Sequence, residues 1–222
     1  MPRLRKRKVV YGFNRYCSAN DEKALLYYKT DPLFDGLLAT SYSRHVNNWQ
    51  VLELVKQLNY FGFSVDVLDR SITEKDLGML ADDYNLFVGL GAGDSGKFFS
   101  DIADKLPSAR KILYAAGPEP SLSNHLIDKR YKNFQAWSGF DVKRLRMITR
   151  LDFNASIKDC DSVFCVGGRF ALRSYEAFNK PLFSILPSSA PWLSVRPSDF
   201  HTRRSNQILY FGGNGAIVKG LD

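Results

Sequence analysis

Residues 85–116 read NLFVGLGAGDSGKFFSDIADKLPSARKILYAA, and the pattern within this segment indicates the fold class. Residues 85–90 and 111–116 are apolar runs typical of buried strands, whereas residues 97–106 between them have helical spacing. A helix that joins two strands of this kind is typical of a βαβ unit, in which the two strands run parallel. The segment therefore predicts an α/β protein.

The same alternation of strands and helices continues on both sides of this unit. Further strands are predicted at 37–41, 63–68, 162–166 and 181–185, and further helices at 46–60, 121–137 and 169–178. Gly62 is expected to end the helix over 46–60. Because the strands are apolar on both faces, we predict a doubly wound parallel sheet of the Rossmann-like type, with 37–41 as its first strand.

Composition and charge exclude several classes of protein. The chain has 222 residues and a net charge of +8. Five of these charges come from residues 3–8, so the rest of the chain is nearly balanced, which argues against a nucleic-acid-binding domain. No apolar run approaches the ~18 residues that cross a bilayer. We expect no transmembrane segment.

Cysteine and histidine usage argues against a disulfide framework and against a metal site. The chain has three cysteines without a C-x-x-C pair, and its three histidines lie far apart in sequence. No apolar signal segment follows the basic N-terminus, which passes into Val9, Val10 and Tyr11. We therefore expect a cytoplasmic protein without a metal, whose Cys160 and Cys165 flank or enter a buried strand.

The alternation stops after residue 186, which suggests a domain boundary. Residues 187–205 hold three prolines and five serines and are typical of a linker, and one more strand is predicted at 207–211. We divide the chain into a basic tail and extension (1–36), a Rossmann-like domain (37–186), the linker (187–205) and a truncated start of a second Rossmann-like domain (206–222).

A glycine-rich segment follows the strand over 85–90. Residues 91–97, GAGDSGK, match the G-x-x-x-x-G-K pattern of a phosphate-binding loop and also the G-x-G-x-x-G pattern of dinucleotide-binding folds. Phe98 stands where the nucleoside triphosphatases need Ser or Thr to hold magnesium. A nucleotide site and a glycine-rich surface loop are both compatible with this segment.

Two further polar segments follow predicted strands, where ligands bind in open α/β sheets. Ser41, Tyr42 and His45 lie at or just after the end of the strand over 37–41, and residues 117–125 follow the strand over 111–116. The second segment carries Glu119 as a candidate acid or base. The alternatives are a polar helix cap for the first segment and a rigid turn with a solvated glutamate for the second.

A third cluster is basic. Residues 128–150 contain seven Lys and Arg against two Asp, which indicates either a solvated helix face or a surface for an anionic acceptor or membrane.

The C-terminal sequence FGGNGAIVKGLD, at residues 211–222, resembles the opening of the donor domain in glycosyltransferases of the GT-B fold, family 4. Residues 47–50 and 62–67 are similar to the first helix and second strand of that family, and 84–91 and 111–117 also fit its acceptor domain. The resemblance covers about residues 37 to 222. It rests on the order and spacing of these segments and on the linker.

The resemblance implies an enzyme that moves a sugar from a nucleotide-sugar to a sugar or glycolipid acceptor, with retention and without a metal or other cofactor. Its two domains face each other across a cleft. By position, the residues implied for the donor diphosphate are Gly212, Gly213, Gly215 and Lys219, those implied for the acceptor are Ser41, Tyr42 and Asn124, and the candidate catalytic residues are Glu119 and His45.

Two departures from the family pattern bear on activity. Val218 stands where the family often has His, and the paired glutamates that bind the donor sugar and ribose lie beyond residue 222. The chain alone is thus expected to be inactive. We expect sugar compounds as partners and no nucleic acid, and the basic cluster suggests a weak association with a membrane surface. A P-loop-like nucleotide-binding protein that uses residues 91–97 and a non-catalytic carbohydrate-binding module are the alternative functions.

Overall fold

The computed structural model describes residues 9–13, 22–35, 46–91, 98–141 and 153–185. The strands in these ranges are β1 (Val9–Phe13), β2 (Lys23–Tyr28), β3 (Ser64–Asp69), β4 (Leu86–Leu90), β5 (Arg110–Ala115), β6 (Ser162–Val166) and β7 (Leu182–Ile185). The helices are α1 (Asp31–Asp35), α2 (Val46–Tyr60), α3 (Glu74–Leu77), α4 (Phe99–Lys105), α5 (Pro120–Ser138), α6 (Phe153–Asp159) and α7 (Arg169–Arg173). A 3-10 turn at Glu176–Phe178 follows α7.

The strands form one sheet in the order β1-β3-β2-β4-β5-β6-β7. The strands β2 to β7 run parallel, whereas β1 pairs antiparallel with β3 at the edge. From β2 the chain goes to one side to form β3 and then crosses to the other side to form β4. The strand order therefore reverses between β2 and β4, which confirms the predicted doubly wound parallel sheet.

Apolar side chains fill both faces of the sheet. On one face Val51 and Val55 of α2 pack against strand residues such as Val67 and Val88. On the other face the core includes Phe99 of α4, Ile157 of α6 and Ala171 of α7. Because helices cover both faces, the central strands are apolar throughout rather than alternating.

The helix predicted over 46–60 is confirmed as α2, and a local signal sets its C-terminal end. Val51 and Val55 lie four residues apart and are both buried, as the helical spacing requires. Gly62 adopts a left-handed φ of 95°, and the next N–H, of Phe63, donates to the carbonyl of Leu58 at 3.0 Å. This left-handed turn ends the helix at a residue that tolerates it.

The sheet begins earlier in the chain than the sequence indicated. Both β1 and β2 lie before residue 37, in the segment assigned to a tail and extension, so that boundary is wrong. Residues 24–28 are all buried, because β2 is a central strand paired with β3 on one side and β4 on the other. The apolar run ALLYY between Lys23 and Lys29 was the available signal.

Several predicted segments lie outside the described residues. These are the strand at 37–41, the linker at 187–205 and the start of a second domain at 206–222. The other predicted strands and helices appear within a few residues of their expected ends. The helix predicted at 169–178 is α7 followed by the 3-10 turn.

Candidate functional site at the carboxyl edge of the sheet

The carboxyl ends of β2 and β4 flank the point where the strand order reverses. In open parallel sheets this position forms a crevice in which ligands bind. The described residues that follow the strands at this edge are Lys29 and Thr30 after β2, Arg70 and Ser71 after β3, Gly91 after β4 and 116–119 after β5. These positions define the candidate site.

Asp69, the last residue of β3, is a buried carboxylate held by four hydrogen bonds. The backbone N–H and the hydroxyl of Thr30 both donate to its Oδ2 at 3.0 Å. The backbone N–H and the hydroxyl of Ser71 donate to its Oδ1 at 2.9 and 2.6 Å. Burial by itself would raise the pKa of this carboxyl, but the hydrogen bonds from Ser71 and Thr30 outweigh burial and lower it. Asp69 therefore links Thr30, which follows β2, to the end of β3 through hydrogen bonds.

A second polar pair lies on the α2 side of the sheet. The buried hydroxyl of Tyr28 donates to Oε1 of Gln50 at 3.0 Å and joins the end of β2 to the second turn of α2. The Tyr28 ring packs edge-on against Tyr114 of β5, with 5.7 Å between ring centroids. Burial raises the pKa of Tyr28 to about 12 and raises that of Tyr114 as well. Both side chains are thus neutral phenols at physiological pH.

The turn between β5 and α5 is fastened to the segment that follows α7. The Glu119 N–H donates to Oγ of Ser174 at 2.9 Å, and the Tyr175 hydroxyl donates to the carbonyl of Gly117, also at 2.9 Å. Oε2 of Glu119 accepts from the N–H of Leu122 at 2.9 Å, so Glu119 is the N-cap of α5 and Pro120 is its first residue. Burial raises the pKa of Tyr175. These hydrogen bonds hold the turn, as in the turn alternative, but its glutamate is buried rather than solvated.

The structure thus describes two of the predicted site residues. Glu119 lies at the carboxyl edge of β5, and Asn124 lies on α5 five residues further along, partly buried. The remaining predicted site residues lie outside the described ranges, namely Ser41, Tyr42, His45, Gly212, Gly213, Gly215 and Lys219. The acceptor and donor roles implied for them stay predictions.

The glycine-rich segment after β4 begins at the candidate site. Gly91 is buried, and a Cβ on it would lie 1.7 Å from Cδ1 of Leu113 on β5. Close packing between neighbouring strands therefore explains this glycine without a phosphate. Phe98, at the position that would hold magnesium in a nucleoside triphosphatase, is buried in the core with Phe99. Residues 92–97, including Lys97, lie outside the described residues.

Sequence reasoning missed Thr30 and Asp69, which form the most highly connected polar group at this edge. A signal was present in the sequence. Thr30 comes just after the apolar run at 24–28, and Asp69 comes directly after the strand predicted at 63–68. Both therefore lie at the edge of the sheet where ligands bind. Thr30 was overlooked because β2 was not recognised as a strand. Gln50 was taken only as part of a helix, since nothing local distinguishes it from an exposed residue.

The two described cysteines are buried thiols, as predicted. Cys165 lies within β6, and Cys160 immediately precedes that strand. Burial raises the pKa of Cys160 to about 11 and also raises that of Cys165. Both are therefore protonated at neutral pH, as is typical of structural cysteines.

Comparisons with models of protein families, with curated proteins and with solved structures found no match to this chain. In the part of the chain that the structure describes, no three His, Cys, Asp or Glu residues lie close enough together to hold a metal ion. No helix within the described ranges is both long and apolar enough to span a membrane.

Proposed function

We propose that this chain carries the acceptor-side domain of a cytoplasmic GT-B glycosyltransferase, which transfers a sugar from a nucleotide-sugar to a sugar or glycolipid acceptor. The observation that carries the proposal is the doubly wound parallel sheet, whose strand order reverses between β2 and β4. This is the architecture that the resemblance implies for the acceptor domain, and such a reversal is a usual site for ligands.

The described edge suits a hydroxyl-rich ligand in two respects. The Thr30–Asp69–Ser71 group holds the ends of β2 and β3 together, so the exposed Ser71 side chain would lose little conformational entropy on binding. Glu119 is fixed at its backbone by Ser174 and lies at the same edge. In this proposal Glu119 and His45 are the acid–base candidates, and Ser41, Tyr42 and Asn124 border the acceptor.

Binding of small saccharides tests the proposal directly. Saturation-transfer NMR with a panel of mono- and disaccharides, followed by calorimetry, would detect the acceptor site. We expect saccharide binding that is weakened about tenfold in Glu119→Gln, since the charged carboxylate is a stronger hydrogen-bond acceptor than the amide. Glu53→Gln is the matched control, because Glu53 lies exposed on α2. If no saccharide binds to the folded protein, the proposal is wrong.

A nucleotide-binding protein that uses residues 91–97 is the second candidate. The observation in its favour is that this segment follows β4 at the point of strand reversal, where parallel sheets hold nucleotides. The buried side chain of Phe98 speaks against a magnesium ligand at that position. ATP or GTP should raise the melting temperature if this candidate is correct, and Lys97→Ala should abolish the shift.

A further inference from the structure

Helix α5 ends in two exposed aromatic side chains. Trp137 is 76% exposed and Phe140 is 71% exposed. Between them Gly139 takes a left-handed φ of 73°, and its N–H donates to the carbonyl of Gln135 at 2.8 Å. The N–H of Phe140 donates to Oγ of Ser138 at 3.2 Å. The hydrogen-bonded cap therefore fixes the backbone that presents both rings to solvent.

Three cations lie on the outward side of the same helix. Ile127 and Tyr131 are its buried side chains near the middle, whereas Lys129, Arg130 and Lys132 are exposed. At 100° per residue, these cations and Trp137 fall within about 160° of the helix circumference, opposite Ile127 and Tyr131. Asp128 is partly buried and pairs with Lys132 at 2.7 Å. Basic and aromatic side chains thus share one surface, the outward face of α5.

The sequence next to α5 adds more positive charge. Asp141 follows Phe140, and residues 142–150 then contain four Lys and Arg and no Asp or Glu. The region 129–150 therefore has a strong excess of cations, with Asp141 as its one acidic residue. A partner that fits the outward face of α5 carries negative charge and accepts aromatic side chains.

A second aromatic pair in the protein lacks this charge. Tyr60 and Phe61, at the end of α2, are 78% and 68% exposed and precede the left-handed Gly62. The only charged residues of α2 are Lys56 and Glu53, which lie 3.6 Å apart, so this helix has no excess of cations. The ends of α2 and α5 therefore both expose two aromatic side chains, but only α5 carries an excess of cations.

We propose that the outward face of α5, with Trp137 and Phe140, docks on the surface of an anionic lipid bilayer. Tryptophan and phenylalanine partition into the interfacial layer of a bilayer, and neighbouring Lys and Arg are attracted by anionic headgroups. A nucleic-acid duplex fits less well, because its phosphates would attract the cations but it offers no apolar layer for the exposed rings of Trp137 and Phe140. The inference does not depend on the proposed sugar transfer.

Vesicle binding tests the proposal with the full chain. Co-sedimentation is measured with vesicles of phosphatidylglycerol and phosphatidylcholine in equal parts and with vesicles of phosphatidylcholine alone. We expect binding to the anionic vesicles only, reduced by added salt. Trp137→Ala with Phe140→Ala should weaken binding about tenfold. Lys129→Gln with Arg130→Gln should weaken it about fivefold for each cation removed.

Tyr60→Ala with Phe61→Ala is the matched control, since it removes two equally exposed rings from a helix end without a cation excess. This variant should bind anionic vesicles like the original protein. The proposal is overturned if the protein does not bind anionic vesicles, if neutral vesicles bind equally well, or if both aromatic double variants lose the same affinity. Binding to a short RNA or DNA duplex in place of vesicles would also overturn it. Circular dichroism checks that each variant is folded.

Discussion

Asp69 shows how a single residue joins distant parts of the chain. Its carboxylate accepts hydrogen bonds from Thr30, 39 residues earlier in sequence, and from Ser71, two residues later. A buried carboxylate is favourable only when hydrogen bonds replace the water that it loses. Here four donors do so, and they keep the pKa of the group below its usual value.

We predict that Asp69→Asn destabilises the protein by about 2 kcal/mol, because an amide has one acceptor oxygen for two pairs of donors. Its NH₂ group would face the donors of either Thr30 or Ser71. Urea unfolding at pH 7 measures the loss. Asp141→Asn is the control, since Asp141 is exposed, and it should leave the free energy of unfolding unchanged. An equal effect of both substitutions would contradict this account.

The same carboxylate predicts a dependence of stability on pH. Since its pKa is lower in the folded protein than in the unfolded chain, its contribution is complete above the unfolded value of about 4. The contribution is lost as the pH falls through the lower, folded pKa. Unfolding between pH 7 and pH 2 should therefore show a steeper acid loss in the original protein than in Asp69→Asn. Parallel curves for the two proteins would refute the assignment.

At the scale of elements, α5 starts where it does because of one short segment. Glu119 caps the helix, Pro120 occupies its first position, and Ser174 accepts the N–H of Glu119. Proline suits this position because its missing N–H has no partner there in any helix. The cap and its anchor place the helix start at the carboxyl edge of β5.

Two substitutions at Glu119 distinguish the contribution of the cap hydrogen bond to stability from that of the negative charge. Glu119→Ala should lower the free energy of unfolding by about 1 kcal/mol, because the Leu122 N–H loses its acceptor. Glu119→Gln retains an acceptor oxygen and should lose much less. Denaturant unfolding of the two variants measures the difference. If the alanine variant is as stable as the glutamine variant, the cap hydrogen bond contributes nothing.

At the scale of the whole molecule, the sheet depends on residues near the N-terminus. β2 is paired with β3 and β4 and supplies five buried residues to the core, so the strand order cannot form without it. The candidate site lies at the end of this strand. Fold and site therefore depend on the same segment.

Deletion of residues 1–36 should abolish cooperative unfolding, because it removes a central strand and exposes both cores. Deletion of residues 1–8 should leave a stable fold, since β1 and β2 are retained. Thermal denaturation followed by circular dichroism measures both variants. A cooperative transition in the longer deletion would show that the domain begins after residue 36.

Much of the fold could be predicted because its signals are local. Gly62 follows the end of α2, Pro120 is the first residue of α5, and β4 and β5 are short apolar runs that can be recognised without a partner strand. The strand β2 was not predicted, because the short apolar run at 24–28 resembles other apolar runs of the sequence, such as the one at 37–41. Only pairing with β3 and β4 identifies 24–28 as the central strand.

Periodicity and composition were sufficient to predict an α/β protein with a doubly wound parallel sheet, since burial on both faces makes central strands such as β4 apolar throughout. The tertiary structure was needed for the strand order, for the early start of the sheet and for the polar groups at its carboxyl edge. Thr30 with Asp69 and Tyr28 with Gln50 are pairs separated by 39 and 22 residues. The burial of these four residues and their hydrogen-bond partners depend on which strands become neighbours. The order of the strands is set only when the whole chain folds.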